Sequence, residues 1–192
     1  MNRRNFLQAG TGLALTTALG SGVRGYAEEF AQRKPRVGLI GTLYYKINGR
    51  VCLSKDTTPE PPDLEEILGQ MAAERCGYCA MEVSSHGIDF HRVAGQEFET
   101  GVWTNLAQDH LDWHKTMENY RDVKARWLAT LGPDKHAAIN ADDPHAPYFI
   151  ERTSARKVLY GLQSRADVTA RNCRFSADGT RFTLVTPCGE ME

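Results

Sequence analysis

Two short runs hold most of the residues in this chain that can do chemistry: Glu82-Val83-Ser84-Ser85-His86 and Thr104-Asn105-Leu106-Ala107-Gln108-Asp109-His110-Leu111-Asp112-Trp113-His114. Their carboxylates, hydroxyls and imidazoles suit a metal, a phosphate or a sugar. Each run follows an apolar stretch that reads as a strand, and open α/β sheets bind ligands outside the carboxyl ends of their strands. Glu82 ends a buried strand, where a carboxylate needs a partner. A magnesium ion, which prefers oxygen ligands and keeps several waters, would serve; so would a salt bridge or solvent. Ser84, Ser85 and His86 follow at a helix start, whose N–H groups favour anions, although serines there also act as plain caps. Asp109 and His110 occupy the neighbouring loop of the same sheet edge. Lys124 falls four residues after Tyr120 and four before Leu128, on their apolar face. Burial lowers the pKa of an ammonium, unless the head snorkels to water past the helix end. A neutral amine at such a place can take up carbon dioxide as a carbamate, an anionic ligand for magnesium. The convergence of Glu82, His110 and Lys124 on one sheet edge favours the metal-site reading.

The elements expected to position these residues alternate between strand and helix. Val37-Gly38-Leu39-Ile40-Gly41 is a short apolar run of the kind found in buried parallel strands. A polar loop with Thr57-Thr58-Pro59 leads to a helix opened by Pro61-Pro62 and the acids Asp63, Glu65 and Glu66, with an apolar stripe of Leu64, Ile67, Leu68, Met71 and Ala72. Strands are predicted over Tyr78–Val83, Phe98–Thr104, Ala137–Asn140 and Val158–Tyr160. Thr116 caps a helix predicted over Met117–Leu131, and Asp143-Pro144 starts another. Alternating strands over 168–175 and 181–186 flank Asp178-Gly179, a hairpin signal. The expected fold class is α/β, a doubly wound and mostly parallel sheet with a C-terminal β-hairpin appendage.

The length of 192 residues suits one domain with a sizeable core, and the net charge of -1 gives no reason to expect nucleic acid as a partner. No apolar run is long enough for a transmembrane segment. The odd, scattered set of five cysteines argues against a disulfide framework, and Cys76-Gly77-Tyr78-Cys79 reads as two ordinary thiols. Residues 1–30 differ from the rest. Asn2-Arg3-Arg4-Asn5-Phe6-Leu7-Gln8 resembles a twin-arginine signal, followed by a mildly apolar stretch from Leu7 to Leu19 and a cleavage candidate at Gly25-Tyr26-Ala27. An ordinary amphipathic N-terminus is the competing reading.

Gly38-Leu39-Ile40-Gly41-Thr42, Thr57-Thr58-Pro59, Met81 to His86, Arg92-Val93, Thr104 to His114, Tyr120-x-x-x-Lys124-x-Arg126 and Asn140-Ala141-Asp142-Asp143 form an ordered series. The series resembles the central domain of the Mur ligase family, most of all its tripeptide-synthetase branch. The resemblance implies a P-loop-NTPase-like fold over residues 31–192 and an ATP-dependent ligase of peptidoglycan synthesis. ATP would phosphorylate the D-glutamate carboxylate of UDP-MurNAc-L-Ala-D-Glu, and the amine of a diamino acid would displace phosphate from the acyl phosphate. It further implies that Glu82 holds the magnesium bridging the ATP phosphates. His110 and carbamylated Lys124 would serve a second magnesium and the acyl-phosphate oxygens. Thr57, Thr58, Ser84 and Arg92 match positions that contact the nucleotide-muramyl substrate. Phe90 departs from the family, which often has a polar residue there.

The family's Gly-Thr-x-Gly-Lys-Thr-Thr loop is expected about one helix before Val37, yet no G-x-x-x-x-G-K-[ST] occurs in the sequence. The family's uridine-binding and C-terminal domains are likewise not expected within these residues, so ligation by this chain alone is not expected. Ligase chemistry implies the cytoplasm, whereas the twin-arginine-like leader implies export. The readings carried forward are a ligase fragment, an exported muramyl-nucleotide-binding module and, as a contrast, an unrelated α/β partner-binding protein. A partly uncovered apolar sheet face is also expected around the Gly38 strand.

Overall fold

Val37–Ile40 forms β1, which pairs in parallel with β4 (Tyr78–Met81), the strand that ends beside Glu82. The computed structural model describes residues 36–191; the leader expectation falls on residues 1–30, outside the described residues. Residues 36–97 and 98–191 form two compact units.

In the first unit β2 (Tyr44–Ile47) and β3 (Arg50–Leu53) extend the sheet in the order β3-β2-β1-β4. This antiparallel hairpin corrects the expectation of a plain polar loop between Gly41 and Pro61. Its turn is Asn48-Gly49, both at positive φ (46° and 88°), the geometry that two-residue hairpins demand. The signal was present in the sequence, but β3 is exposed at every position and shows no burial alternation. The proline-opened helix α1 (Pro61–Ala73) buries Leu64 and Met71 completely. It sits so close to β1 that a Cβ on Gly38 would overlap the Met71 sulfur. The opposite sheet face is only partly covered, as expected: Val37, Tyr44, Val51 and Leu53, which share it by register, are exposed. The short helix α2 (Ser85–Asp89) follows β4.

In the second unit β5 (Thr100–Trp103), β6 (His136–Asn140) and β7 (Arg156–Tyr160) form a parallel sheet in the order β5-β6-β7. The crossover from β5 to β6 carries α3 (Leu111–His114) and α4 (Met117–Leu128), and α5 (Ala146–Arg152) connects β6 to β7. Thr116 caps α4 as expected, its side chain accepting from the Asn119 N–H at 3.2 Å. α4 stops at Leu128 rather than Leu131. α5 starts at Ala146, later than Asp143-Pro144 predicts, and the Asp143 carboxylate accepts from the Leu106 and His145 N–H groups. Phe149 on α5 is fully buried and stacks on Trp103, with ring centroids 3.6 Å apart. The expected hairpin forms between β8 (Thr169–Ser176) and β9 (Gly179–Thr186), and β10 (Gly189–Met191), too short to show a pattern, adds a third antiparallel strand.

The Asn140 to Asp143 motif ties loops together through backbone groups. Asn140 Nδ2 donates to the Thr104 carbonyl at 2.8 Å, and Asp143 Oδ2 accepts from the Leu106 N–H at 2.8 Å. The Asp142 carboxylate accepts from the successive N–H groups of Leu162, Gln163 and Ser164. Those bonds, Leu162's first, hold its carboxyl below the usual aspartate range.

Candidate functional site

In the first unit the candidate residues come from three segments joined by hydrogen bonds. Thr42, just past β1, donates from its N–H to Glu82 Oε2 at 3.0 Å and from its hydroxyl to the same oxygen at 2.5 Å. Its hydroxyl also lies 3.1 Å from the Thr57 hydroxyl. Glu82 is exposed and has one oxygen engaged this way. A single outward carboxylate fits magnesium, which is commonly bound by one or two carboxylates together with waters and substrate phosphates.

Thr58 is 1 % exposed. Its hydroxyl donates to the Glu82 carbonyl at 2.9 Å and accepts from the Ser84 N–H at 2.9 Å. Ser84 is the N-cap of α2, its hydroxyl accepting from the Gly87 N–H at 3.0 Å, which is the plain-cap role. Gly87 itself has no alternative, since a Cβ there would lie 2.6 Å from the Thr58 methyl. Arg92 donates to the Thr58 carbonyl at 2.9 Å and pairs with Glu60 at 2.6 Å and Asp56 at 3.4 Å. Glu82, Thr57, Thr58, Ser84 and Arg92 are therefore brought together in this unit.

In the second unit His110 and Lys124 share one neighbourhood. His110 takes a left-handed backbone (φ 54°) ahead of α3, and its ring lies 3.4 Å from the Asp109 carboxylate and edge-on to Tyr120. The Tyr120 ring stacks with His114 at 5.2 Å. Lys124 Nζ lies 5.2 Å from the Tyr120 ring centroid and 5.9 Å from that of Trp103. It has no ion pair or hydrogen bond among the described residues. Burial pushes the Lys124 ammonium below the ordinary lysine range, opposed by attraction to Asp109. Burial also raises the Tyr120 hydroxyl, with Asp109 adding to the effect. The donors here fit a magnesium ion only once the amine carries carbon dioxide, because an ammonium has no lone pair to offer. Among the described residues no three His, Cys, Asp or Glu side chains group as a ready metal site.

The Lys124 shift has a definite sign. Below its folded pKa both states are protonated, and burial of the charge opposes folding in full. As pH rises through that pKa the penalty is lifted, and it is gone at the unfolded value of about 10.4. Lys124→Met is expected to raise the urea midpoint at pH 7, and its advantage over wild type should shrink as pH approaches 10. A gap that does not change with pH would contradict a buried ammonium.

The sequence reading did not find Thr42, Asp56 or Glu60. Thr42 reaches Glu82 from 40 positions away, a pairing with no local signal. Asp56 and Glu60 flank the Thr57-Thr58 pair and were legible only as loop acids. Cys79, on β4, is pushed up to about 12 by burial and by Cys76, which keeps it a protonated, unreactive thiol.

Residues 23–192 match the family model described as the Mur ligase middle domain. The chain is 42 % identical over 171 residues to UDP-N-acetylmuramoyl-L-alanyl-D-glutamate–2,6-diaminopimelate ligase of Bacillus licheniformis, covering 86 % of the chain and 35 % of that protein. It is 38 % identical over 171 residues to UDP-N-acetylmuramyl-tripeptide synthetase of Roseiflexus sp., covering 81 % of the chain and 34 % of the relative. A solved structure of a UDP-N-acetylmuramoyl-L-alanyl-D-glutamate–2,6-diaminopimelate ligase superposes with a TM-score of 0.71 at 28 % identity, covering 92 % of this chain and 37 % of that one. The chain thus spans about a third of the length of the curated relatives it matches.

Proposed function

This chain belongs to the Mur ligase family as a middle domain, and from that premise we propose that it serves amide-bond formation of the tripeptide-synthetase type. The substrate is UDP-MurNAc-L-Ala-D-Glu. Its D-glutamate carboxylate takes the γ-phosphoryl group of ATP, releasing ADP. The amine of a diamino acid then attacks the acyl phosphate, and phosphate leaves as the amide forms. In this reaction catalysis is mainly positioning and charge stabilisation. Magnesium supplies charge to offset that of the phosphoryl oxygens. Glu82 would hold one ion; His110 and carbamylated Lys124 would hold another. Thr57, Ser84 and Arg92 face the nucleotide-muramyl substrate, and Thr58 supports them from beneath.

The observation that carries this reading is Lys124: a half-buried amine near the Tyr120 and Trp103 rings, its pKa lowered by burial against the attraction of Asp109, with no ion pair or hydrogen bond among the described residues. Carbamate formation uses the neutral amine, the form that burial favours. The second reading is a muramyl-nucleotide-binding module without ligase activity, and the missing phosphate-loop motif favours it for these residues taken alone. Without that loop, ATP phosphates lack a nest of N–H groups and a lysine.

Calorimetric titration with UDP-MurNAc-L-Ala-D-Glu and with ATP separately, in magnesium, tests both. Binding of the muramyl nucleotide without ATP supports the binding role. Tight ATP binding reinstates an active ligase. Absence of both from a folded sample sinks the substrate assignment. In ¹³C-bicarbonate, wild type is expected to show a carbamate carbon signal that Lys124→Ala loses; a signal surviving in the variant removes Lys124 from the mechanism.

A further inference from the structure

Arg92 is a largely enclosed cation held by exposed anions. Its side chain is 14 % exposed, whereas those of Asp56 and Glu60 are 45 % and 53 % exposed. Both carboxylates belong to the loop whose Thr58 carbonyl also accepts from Arg92. The guanidinium Nε is buried and has no hydrogen-bond partner among the described residues. The backbone of Arg92 is fixed independently, its N–H donating to the Gly87 carbonyl at 2.8 Å. Arg92 therefore stays in place whichever carboxylate occupies its fork.

Glu60 differs from Asp56 in a useful way. It is the N-cap residue of α1, yet its side chain makes no cap hydrogen bond. Its carbonyl accepts the first helical bond, from the Leu64 N–H at 2.8 Å, so the helix start does not depend on the carboxylate. A released Glu60 side chain would remain at the positive end of α1, where a carboxylate is favoured. Arg–carboxylate pairs are strong and orientation-specific, so an incoming carboxylate or phosphate oxygen competes on equal chemical terms.

We propose that Glu60 is an internal anion that occupies the Arg92 fork until an anionic group of the ligand replaces it, which makes Glu60 a specificity-determining residue. The inference rests on the reading that Arg92 faces the muramyl nucleotide. Asp56, at the longer distance, keeps the loop attached to Arg92 during the exchange. The device disfavours neutral analogues, since only an anion restores the close charge pair at Arg92 Nη2 that the departure of Glu60 removes.

The test uses the full chain, wild type and Glu60→Gln, titrated with UDP-MurNAc-L-Ala-D-Glu, with the side-chain carboxyl carbons of glutamate labelled for NMR. Glu60→Gln is expected to bind about 3- to 10-fold more tightly, because the competing charge is gone while the shape is kept. In wild type the Glu60 carboxyl signal should move to that of a water-exposed glutamate at saturation. Equal or weaker binding by the variant, or an unmoved Glu60 signal, overturns the exchange and leaves Glu60 as a fixed support. If wild type binds no muramyl nucleotide, the substrate reading fails. The exchange is then read with N-acetyl-D-glutamate as the probe, following the Arg92 side-chain N–H signal. Tighter capture by the variant sustains the exchange, and identical titrations refute it. Unchanged circular dichroism of Glu60→Gln serves as the folding control.

Discussion

Phe149→Ala is expected to destabilise the second unit by about 3–5 kcal/mol, the usual range for removing a buried aromatic ring. Phe149 is fully buried, and its ring stacks on Trp103 at 3.6 Å with planes inclined by 23°. Ala137 and Ile139 of β6, also fully buried, belong to the same core cluster. Collapse into the void is restricted, because β5, β6 and β7 are locked in one parallel register. Phe149→Leu fills most of the space and should cost far less. Urea unfolding followed by tryptophan fluorescence checks both. A loss below about 1 kcal/mol for the alanine variant would mean that the core repacks freely. The consequence reaches the candidate site, since the same Trp103 lies under Lys124 Nζ. Loosening the stack should let the amine reach water and return toward its ordinary pKa.

Thr58→Val should cost about 2–4 kcal/mol in the first unit. The substitution preserves shape, including the methyl packed against Gly87, and deletes one hydroxyl. That hydroxyl serves two backbone groups at once, the Glu82 carbonyl and the Ser84 N–H. Leaving each without a partner costs roughly 1–3 kcal/mol, with water recovering part of it. Thr58→Ser keeps both bonds and loses only the methyl, so it should sit near 1 kcal/mol or below. Chemical denaturation of the two variants separates the contributions. Were Val tolerated and Ser not, packing rather than hydrogen bonding would be the role of Thr58. The functional side follows from geometry: the bonds of Thr58 fix the turn that carries Glu82 and Ser84, so the valine variant should also weaken magnesium and muramyl-nucleotide binding.

Legibility in the sequence followed burial. β1, β4, β5 and β6 announced themselves as apolar runs, α1 by its proline start and stripe, α4 by Thr116. The β2–β3 hairpin escaped because its outer strand faces water throughout, although Asn48-Gly49 marked the turn. The start of α5 was misplaced at Asp143-Pro144, although Asp143 does make the cap-like bond to the His145 N–H that its position promised. The apolar face of Lys124 was readable from helical spacing alone. What periodicity cannot encode is long-range polar pairing. Thr42 on Glu82 and Asp56 and Glu60 on Arg92 join segments tens of residues apart, and nothing in local composition names such partners.

The Asn140, Asp142 and Asp143 side chains grip Thr104, Leu106, Leu162 and Gln163 by main-chain atoms, and Ser164 by its side chain as well. A grip on main-chain atoms is blind to side-chain identity. Leu162 and Gln163, and Asn105 between the two clasped positions, can therefore drift in sequence while the path of the chain toward His110 stays the same. Mutational tolerance should thus be uneven on either side of each contact: permissive where the chain is held, strict at the three residues that hold it. A saturation library over Asn105, Leu162 and Gln163 should retain folded members in most side-chain classes, apart from proline at residues whose N–H is taken. The same library over Asn140, Asp142 and Asp143 should collapse to very few.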